Sequence, residues 1–264
     1  MRRAQWAAPA LHAEWTKVRT AGGTLWLLLG VIAATVAVGA AVTAATRCPA
    51  AGCGHDPARV SLAGVDLGQA VVAVLAVLMI SGEYGTGMIL LTLTATPRRS
   101  TVLVAKAIVL TGLVLVAGTV AVLGSVLAGR LILPGHGFTP AHGYPLLSLA
   151  DGAYLRAAAG SVLYLALVGL LGLGIATAIR DSAAAIGVVL GVMYLFPVVT
   201  ATVSNPRWQR HLEQIAPMSA GLAIQATTGL RALPISPWAG IGVLAAWSTG
   251  AMLAGGLLLQ FRDT

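Results

Sequence analysis

Six long apolar runs constrain this chain more than any other feature of its sequence. They cover residues 25–46, 67–80, 102–128, 157–179, 183–203 and 239–260. A helix needs about 20 mostly apolar residues to cross the hydrocarbon core of a bilayer, and the shortest run, 67–80, can borrow a turn from residues 60–66. Lipid offers no hydrogen-bond partner to an open backbone, so such runs fold as helices. The sequence therefore predicts an all-α membrane protein with six transmembrane helices.

The composition excludes an ordinary soluble domain. Of 264 residues, 58% are hydrophobic and 9% are charged, whereas soluble domains carry about 25% charged residues. The net charge of +8 comes from arginines that lie singly or in pairs between the apolar runs. Nucleic-acid binding would need a basic patch. Membrane lipid is therefore the expected partner of this charge, and a nucleic acid is not.

The distribution of basic residues predicts the orientation. Four precede the first run and two lie in the loop after it. Basic residues are retained on the cytoplasmic side, so both termini are expected in the cytosol, together with segments 1–24 and 82–101. Segment 204–238 is then extracellular. The excess of Arg over Lys and the bias toward Ala, Gly, Val and Leu are typical of a GC-rich bacterial genome, which predicts a bacterial plasma membrane.

The sequence contains no catalytic or energy-supplying motif. Neither Lys17 nor Lys106 lies in the G-x-x-x-x-G-K-[ST] pattern of a P-loop. All acidic residues and histidines lie in loops or at span ends, which argues against a proton relay or a buried catalytic base at membrane depth. The chain is thus expected not to be an enzyme and to hold no cofactor or metal. If it moves anything uphill, the energy must come from a partner.

The segment before the first span has the pattern of an interfacial helix. Leu11, Trp15 and Val18 recur on one helical face. Glu14 can pair with Lys17, and an aromatic ring such as that of Trp15 suits the headgroup level. The pattern predicts a helix on the inner membrane surface. The alternative is a plain extension of the first span.

Small residues recur every four positions within three of the spans, and the pair in the sixth is Gly250 with Ala254. Ala33, Ala37 and Ala41 form such a ladder in the first span, and Gly187 and Gly191 form a G-x-x-x-G in the fifth. Small faces let helix backbones approach closely in lipid. The interpretation is a packing face within one protomer or between protomers, although a chain rich in Ala and Gly also shows this spacing by chance.

Two loops outside the predicted bundle carry further signals. Cys48 and Cys53 lie in the first outer loop, where an oxidising exterior permits either a small disulfide-closed loop or two free thiols. In segment 204–238, Trp208, Leu212 and Ile215 share a helical face. This pattern predicts short helices that dip into the outer leaflet; the alternative is an ordered extracellular loop.

The loop between the second and third spans is too long for a simple reversal. It lies within ISGEYGTGMILLTLTATPRRSTVLVAKA, residues 80–107. Residues 86–95 suffice for two or three helical turns, which Pro97 ends. Lys106 falls in the first two turns of the third span, and its long side chain is expected to snorkel to the headgroups. The alternative without a specific function is a solvated connector whose arginines only set the membrane topology.

This loop resembles that of the ABC-2-type exporter permeases, particularly the short bacterial ones. The similar stretches are GEYGTG at 82–87, TATPRRS at 94–100 and AK at 105–106. The N-terminal LHAEWTKVRT resembles the leading interfacial helix of that family. IAPMSAGLAIQAT at 215–227 resembles its last outer loop, although it differs from the sequence that is more common in the family. In layout the resemblance covers the whole chain, 1–264, as a single permease domain.

The resemblance implies a coupling helix that docks in a groove of a separate ATPase. The residues expected at that contact are Glu83, Thr86, Met88, Ile89, Leu91, Arg98 and Arg99. Two ATPase subunits, which hold ATP and Mg²⁺, would serve two permease protomers in a homodimer or heterodimer. The expected function is the membrane-spanning subunit of an ATP-driven exporter. The alternative is a membrane anchor or sensor subunit of a multi-protein complex, with no translocation pathway.

Overall fold

The computed structural model describes residues 7–20, 22–49, 53–85, 99–144 and 147–261. Within these ranges the regular structure is helical and contains no strand. The α-helices are α1 (Ala7–Thr20), α2 (Gly22–Ala45), α3 (Pro57–Leu62), α4 (Val65–Gly85), α5 (Arg99–Ile132), α6 (Gly152–Ile179), α7 (Ser182–Thr202), α8 (Pro206–Ile215), α9 (Pro217–Leu222) and α10 (Pro237–Phe261). Four short 3₁₀ turns accompany them at Leu133–His136, Pro140–His142, Ala223–Gln225 and Leu230–Ala232.

In the described part of the chain, six helical segments are long and apolar enough to cross a membrane. Five of them are built on α2, α5, α6, α7 and α10. The other combines α3 and α4 into one segment, Pro57–Tyr84, across a short turn at residues 63–64. The short predicted run is thus lengthened from the side of residues 60–66. The prediction of an all-α, multi-pass membrane protein is confirmed at this level.

The described ends of the spans lie on two opposite faces of the bundle. One face carries α1, the end of α4, the start of α5 and the reversal between α6 and α7; we call it the α1 face. At that reversal, Arg180 ends α6 in the left-handed region (φ 67°) and Asp181 caps α7. The hydroxyl of Ser182 bonds to that of Ser81, 2.8 Å away in α4. The guanidinium of Arg180 lies 5.4 Å from the ring centre of Tyr84. These contacts tie the hairpin to the second span.

The opposite face, which we call the disulfide face, contains the bond between Cys48 and Cys53. The backbone N–H of Cys48 donates to His136 O at 2.9 Å, which joins the ends of α2 and α5. Gly137 has a φ of 94°, and a Cβ there would collide with Cys48 O. Only glycine fits this contact, since it tolerates positive φ and has no Cβ.

α6 is the central helix of the bundle. It packs against α4, α5, α7 and α10, and more than half of its residues are buried. Glycines allow its closest approach to α10. A Cβ on Gly174 would lie 2.5 Å from the carbonyl carbon of Ala251, and one on Gly255 would lie 2.5 Å from Gly174 O. Such close packing drives helix association where lipid removes the hydrophobic effect.

The small-residue ladders of the first and fifth spans do not pack inside the protomer. Ala33, Ala37 and Ala41 are exposed, and a Cβ on Gly187 or Gly191 would meet no atom within 4 Å. The first span packs through the face defined by Val31, Thr35, Gly39 and Thr43, which are all buried. The ladders therefore do not join helices of one protomer. Packing across a dimer stays a prediction.

Candidate functional site

The most distinctive site is a buried ring of four charges on the α1 face. It consists of Glu14 from α1, Lys17 from α1, Glu83 from α4 and Lys106 from α5, and we call it the ionic cluster. Lys106 Nζ lies 2.7 Å from Glu14 Oε2 and 2.7 Å from Glu83 Oε1. Lys17 Nζ lies 2.7 Å from Glu83 Oε1 and 3.0 Å from Glu14 Oε1. Two ammonium groups thus alternate with two carboxylates, and the charges balance.

Three of the four members are inaccessible to solvent. Lys106 is 1% exposed, Glu14 4% and Glu83 5%. A lysine at such a position needs partners for three N–H groups, and Lys106 has them, because its third donates to Met79 O at 3.2 Å. A compact ammonium meets three separate acceptors better than the planar fork of an arginine. This geometry explains why a lysine, and not an arginine, suits position 106 of this arginine-rich chain.

Lys17 closes the ring at its solvent side, with 37% of its side chain exposed. Burial alone lowers the pKa of Lys17, but its hydrogen bonds with Glu83 and Glu14 and their charges outweigh burial, so the pKa is raised above 10.5. Lys17 is therefore charged throughout the physiological range. The ring joins three chain segments that sequence reasoning treats separately: the interfacial helix, the end of the second span and the start of the third.

A cavity of about 500 Å³ adjoins the cluster, between α1, α2 and α4. Glu14, Lys17, Glu83 and Lys106 all line it, and most of the remaining lining is apolar. The Oε2 atom of Glu83 is buried and has no hydrogen-bond partner. A buried carboxylate oxygen without a donor is destabilising, so this atom is the unsatisfied point of an otherwise complete network.

A second feature, at the disulfide face, is the polar helix α8. The indole N–H of Trp247 donates to Ile215 O, the last residue of α8, at 3.0 Å. Trp247 comes ten residues after the start of α10 at Pro237, which corresponds to about 15 Å along the helix axis. α8 thus extends far down the side of α10. None of its residues is buried, and Arg210 and His211 are among those exposed.

The chain returns to the disulfide face after α8. α9 packs against α10 where a Cβ on Gly240 would meet Ala220 O. The segment that follows is fixed by two charged side chains. Arg156 Nη2 donates to Ala226 O at 2.5 Å, and the carboxylate of Asp56 accepts from both the hydroxyl and the backbone N–H of Thr227, each at 2.6 Å. α8 and α9 therefore form a hairpin that is anchored at the disulfide face.

The structure describes some of the predicted coupling residues but not others. Glu83 is the only one whose side chain is described, and it lies inside the ionic cluster instead of at a surface that a partner could touch. Arg99 begins α5. The others lie outside the described residues: Thr86, Met88, Ile89, Leu91 and Arg98.

The face predicted for the interfacial helix is only partly exposed, and its Val18 lines the cavity between α1, α2 and α4. Trp15 is 45% exposed, and Leu11 and Val18 are half-buried. The residue that α1 buries is Glu14. The expected pairing of Glu14 with Lys17 is present at 3.0 Å. Lys106, in contrast, does not snorkel to the headgroups, because two carboxylates and a carbonyl hold it inside the protein.

Sequence reasoning missed the part that Lys106 plays in this cluster. The available signal was its position: a lysine seven residues after Arg99, within a span, either snorkels to the headgroups or pairs with an acidic residue at the same depth. Glu83 lies near the end of α4 and Glu14 lies in the middle of α1, on the same face of the bundle. Comparison with known proteins adds no assignment, since no protein-family model and no curated protein sequence matches the chain significantly.

Proposed function

We propose that this chain is the membrane-spanning permease subunit of an ATP-driven exporter. Two copies, or this chain and a similar one, form the pathway, and two separate ATPase subunits bind at the α1 face. That face lies in the cytosol of a bacterial cell and the disulfide face lies outside. ATP and Mg²⁺ are held by the ATPase, and this chain contributes the moving helices.

The observation that carries the transport proposal is the depth of α8. If α10 crosses the membrane, the end of α8 lies about 15 Å along it, roughly half of the 30 Å hydrocarbon core. Exposed charged side chains such as Arg210 are not tolerated against lipid tails, but they are tolerated beside water. We therefore expect a water-filled space on one side of α8, and such a space would be part of a transport pathway. A simple membrane anchor has no need of such a space.

The ionic cluster supports the coupling part of the proposal. Segment 86–98 lies between Glu83 and the start of α5, so both of its ends are attached to the cluster. A force applied to that segment would move α1, α4 and α5 as one unit. The role proposed for Glu83 is thus to transmit the movement through Lys17 and Lys106. Direct contact with the ATPase belongs to Met88, Ile89 or Leu91.

The coupling proposal is tested with an ABC-type ATPase encoded next to this chain. The two are co-expressed and purified, and ATP hydrolysis is measured in proteoliposomes. Leu91→Asp would place an unpaired charge in a buried contact and should abolish both co-purification and stimulated hydrolysis. Leu91→Met conserves volume and should preserve both. If Leu91→Asp inserts normally and matches wild type in both assays, the segment is a connector.

The pathway proposal is tested by water accessibility. His211→Cys, on the exposed polar side of α8, should react with a membrane-impermeant maleimide added to intact cells. Val198→Cys is the control, because Val198 is 60% exposed and lies on α7 only four residues before its end at Thr202. It should face lipid and stay unlabelled. Equal protection of both cysteines would favour the anchor or sensor alternative.

A further inference from the structure

An acidic side chain lies at membrane depth on the surface of the second span. The sequence places Asp66 just before the apolar run 67–80, but the structure places it inside the membrane-spanning segment Pro57–Tyr84. Two residues before it, a Cβ on Gly64 would collide with Thr35 O. Thr35 is ten residues from the end of α2 at Ala45, which corresponds to about 15 Å along the helix axis. Asp66 therefore lies about as far from the disulfide face as the end of α8 does.

A contact with α7 gives a similar depth. The hydroxyl of Tyr194 donates to Asp66 O, and Tyr194 lies eight residues before the last residue of α7, or about 12 Å along that helix. One turn further along α4, Gln69 is fully buried; it accepts from the hydroxyl of Tyr164 and donates to Met218 Sδ at 3.3 Å. These bonds fix the first turns of α4 against α6, α7 and α9.

The carboxylate of Asp66 has no partner within the described part of the chain. The side chain is exposed, and it makes no hydrogen bond or salt bridge with any described residue. The charge of Arg59, seven residues earlier, acts on it only from a distance. A first-turn carboxylate is favoured by the helix dipole, but the dipole does not replace hydration. An ionised side chain at this depth requires water or a counter-charge.

The surroundings of Asp66 suit a cation with an apolar body. The ring of Tyr194 extends from α7 toward α4 and is half-buried, and an aromatic ring attracts cations. Leu67 is 46% exposed and adds apolar surface beside the carboxylate. A divalent metal ion would need several oxygen ligands, and no group of three or more His, Cys, Asp or Glu side chains lies together among the described residues.

We propose that Asp66 binds a lipophilic organic cation. The cationic group lies against the carboxylate and the ring of Tyr194, and the apolar part lies along Leu67. The assignment rests on the proposed function in one respect, since it names organic cations as the substrate class of the exporter. Binding itself requires neither the ATPase nor ATP. The site and the coupling of this chain to an ATPase can therefore fail separately.

Tetraphenylphosphonium is the probe, because tetraphenylborate has the same shape and the opposite charge. The purified full chain is placed in phosphatidylcholine nanodiscs, and equilibrium dialysis measures the bound probe after subtraction of empty nanodiscs. We expect saturable binding of the cation at one site per chain and no saturable binding of the anion. Asp66→Asn should weaken cation binding at least about tenfold, because the cation then lacks its counter-charge in a poorly hydrated site.

Asp151→Asn is the matched control. Asp151 also carries its carboxylate at the start of a helix, where it caps α6, and asparagine caps helices about as well as aspartate. It lies at the disulfide face and not at membrane depth, so this variant removes the same charge and should bind the cation as wild type does. Asp66→Glu keeps the charge and should bind more tightly than Asp66→Asn.

The aromatic part of the site has its own pair of variants. Tyr194→Leu removes the ring and should weaken cation binding about threefold or more. Tyr194→Phe keeps the ring but loses the hydrogen bond to Asp66 O, and it should bind the cation as wild type does. Thermal unfolding reports whether each variant is folded. Unchanged binding by a folded Tyr194→Leu chain would contradict the placement of the cation against the ring.

Three results would overturn the proposal. The first is unchanged cation binding by a folded Asp66→Asn chain; if this variant also dissociates a dimer in cross-linking, the partner of the carboxylate is a second copy of the chain. The second is saturable binding of tetraphenylborate in place of the cation, which would point to Arg59. The third is an equal loss of binding in Asp66→Asn and Asp151→Asn, which would show a general effect of surface charge.

Discussion

Replacement of Lys106 by methionine tests the energetic weight of the ionic cluster. Lys106 is fully buried and bonds to Glu14, Glu83 and Met79 O. Methionine keeps much of the volume but removes the charge and all three donors. Two carboxylates then share Lys17 alone, and the buried site carries a net charge of −1. Removing one partner of a buried ion pair destabilises proteins by about 3–5 kcal/mol, and we expect a loss in that range.

Lys17→Met provides the matched comparison. Lys17 contacts the same two carboxylates at similar distances, but 37% of its side chain is exposed. Water screens such a pair, and exposed pairs contribute about 0–1 kcal/mol. We therefore expect Lys17→Met to cost about 1 kcal/mol. Both variants lose the same two carboxylate partners by the same substitution, so the difference between them reports burial together with the bond of Lys106 to Met79 O.

A double variant separates charge imbalance from lost packing. Glu14→Gln combined with Lys106→Met removes one charge of each sign and leaves the 2.7 Å pair of Lys17 and Glu83. The double variant should be more stable than the sum of the single changes predicts, with a coupling energy of about 1–3 kcal/mol. Equilibrium unfolding in mixed micelles, followed by circular dichroism, measures the stability of wild type, Glu14→Gln, Lys106→Met and the double variant.

The reasoning is refuted if Lys106→Met costs less than about 1 kcal/mol, or if the Lys17 and Lys106 variants are equally destabilised. Either outcome would mean that water reaches the cluster and screens it. Additive effects in the double variant would show that the Glu14–Lys106 contact carries no specific energy.

Four further predictions use other parts of the molecule. Gly174→Ala should destabilise the bundle by about 1–3 kcal/mol, because its Cβ would lie 2.5 Å from the backbone of α10; an unchanged unfolding curve would contradict this. Gly191→Leu should leave the fold intact but abolish dimerisation in cross-linking, and an unchanged dimer would remove this face from the interface. Ala141→Cys, on an exposed 3₁₀ turn, should be labelled from outside intact cells and Thr20→Cys should not; the reverse pattern would invert the topology. Because the pKa of Lys17 is raised above 10.5, its stabilisation should be complete below pH 10.5 and lost as pH rises through the folded-state pKa. A stability difference between wild type and Lys17→Met that already falls between pH 7 and 9 would contradict that assignment.

The sequence alone determined the spans, because a membrane segment is defined by a local property. Each residue of a span must be apolar enough to leave water, whatever packs beside it. The predicted run 157–179 therefore matches Gly152–Ile179, and 183–203 matches Ser182–Thr202, each within a few residues. Even the short run 67–80 was resolved by local information, since the residues before it supply α3 and the turn that follows.

The tertiary structure decided which face of each span packs. The ladder from Ala33 and the one from Thr35 have the same four-residue spacing, so spacing cannot choose between them. Thr35 and Gly39 face the protein because Gly64 and Gly68 bring α4 against that side of α2, where a Cβ on Gly64 would collide with Thr35 O. The choice depends on glycines about 30 residues away, and no local pattern contains it.

The ionic cluster was likewise decided by long-range contact. Glu14 and Lys17 are three residues apart, so their pairing follows from helix geometry. Lys106 is 92 residues from Glu14 and 23 from Glu83, and its charge is compatible with either headgroups or buried carboxylates. A lysine snorkels only if no acceptor lies closer than the membrane surface. That condition was set by the packing of α1 against α5, which brings Glu14 to the ammonium and buries all three groups together.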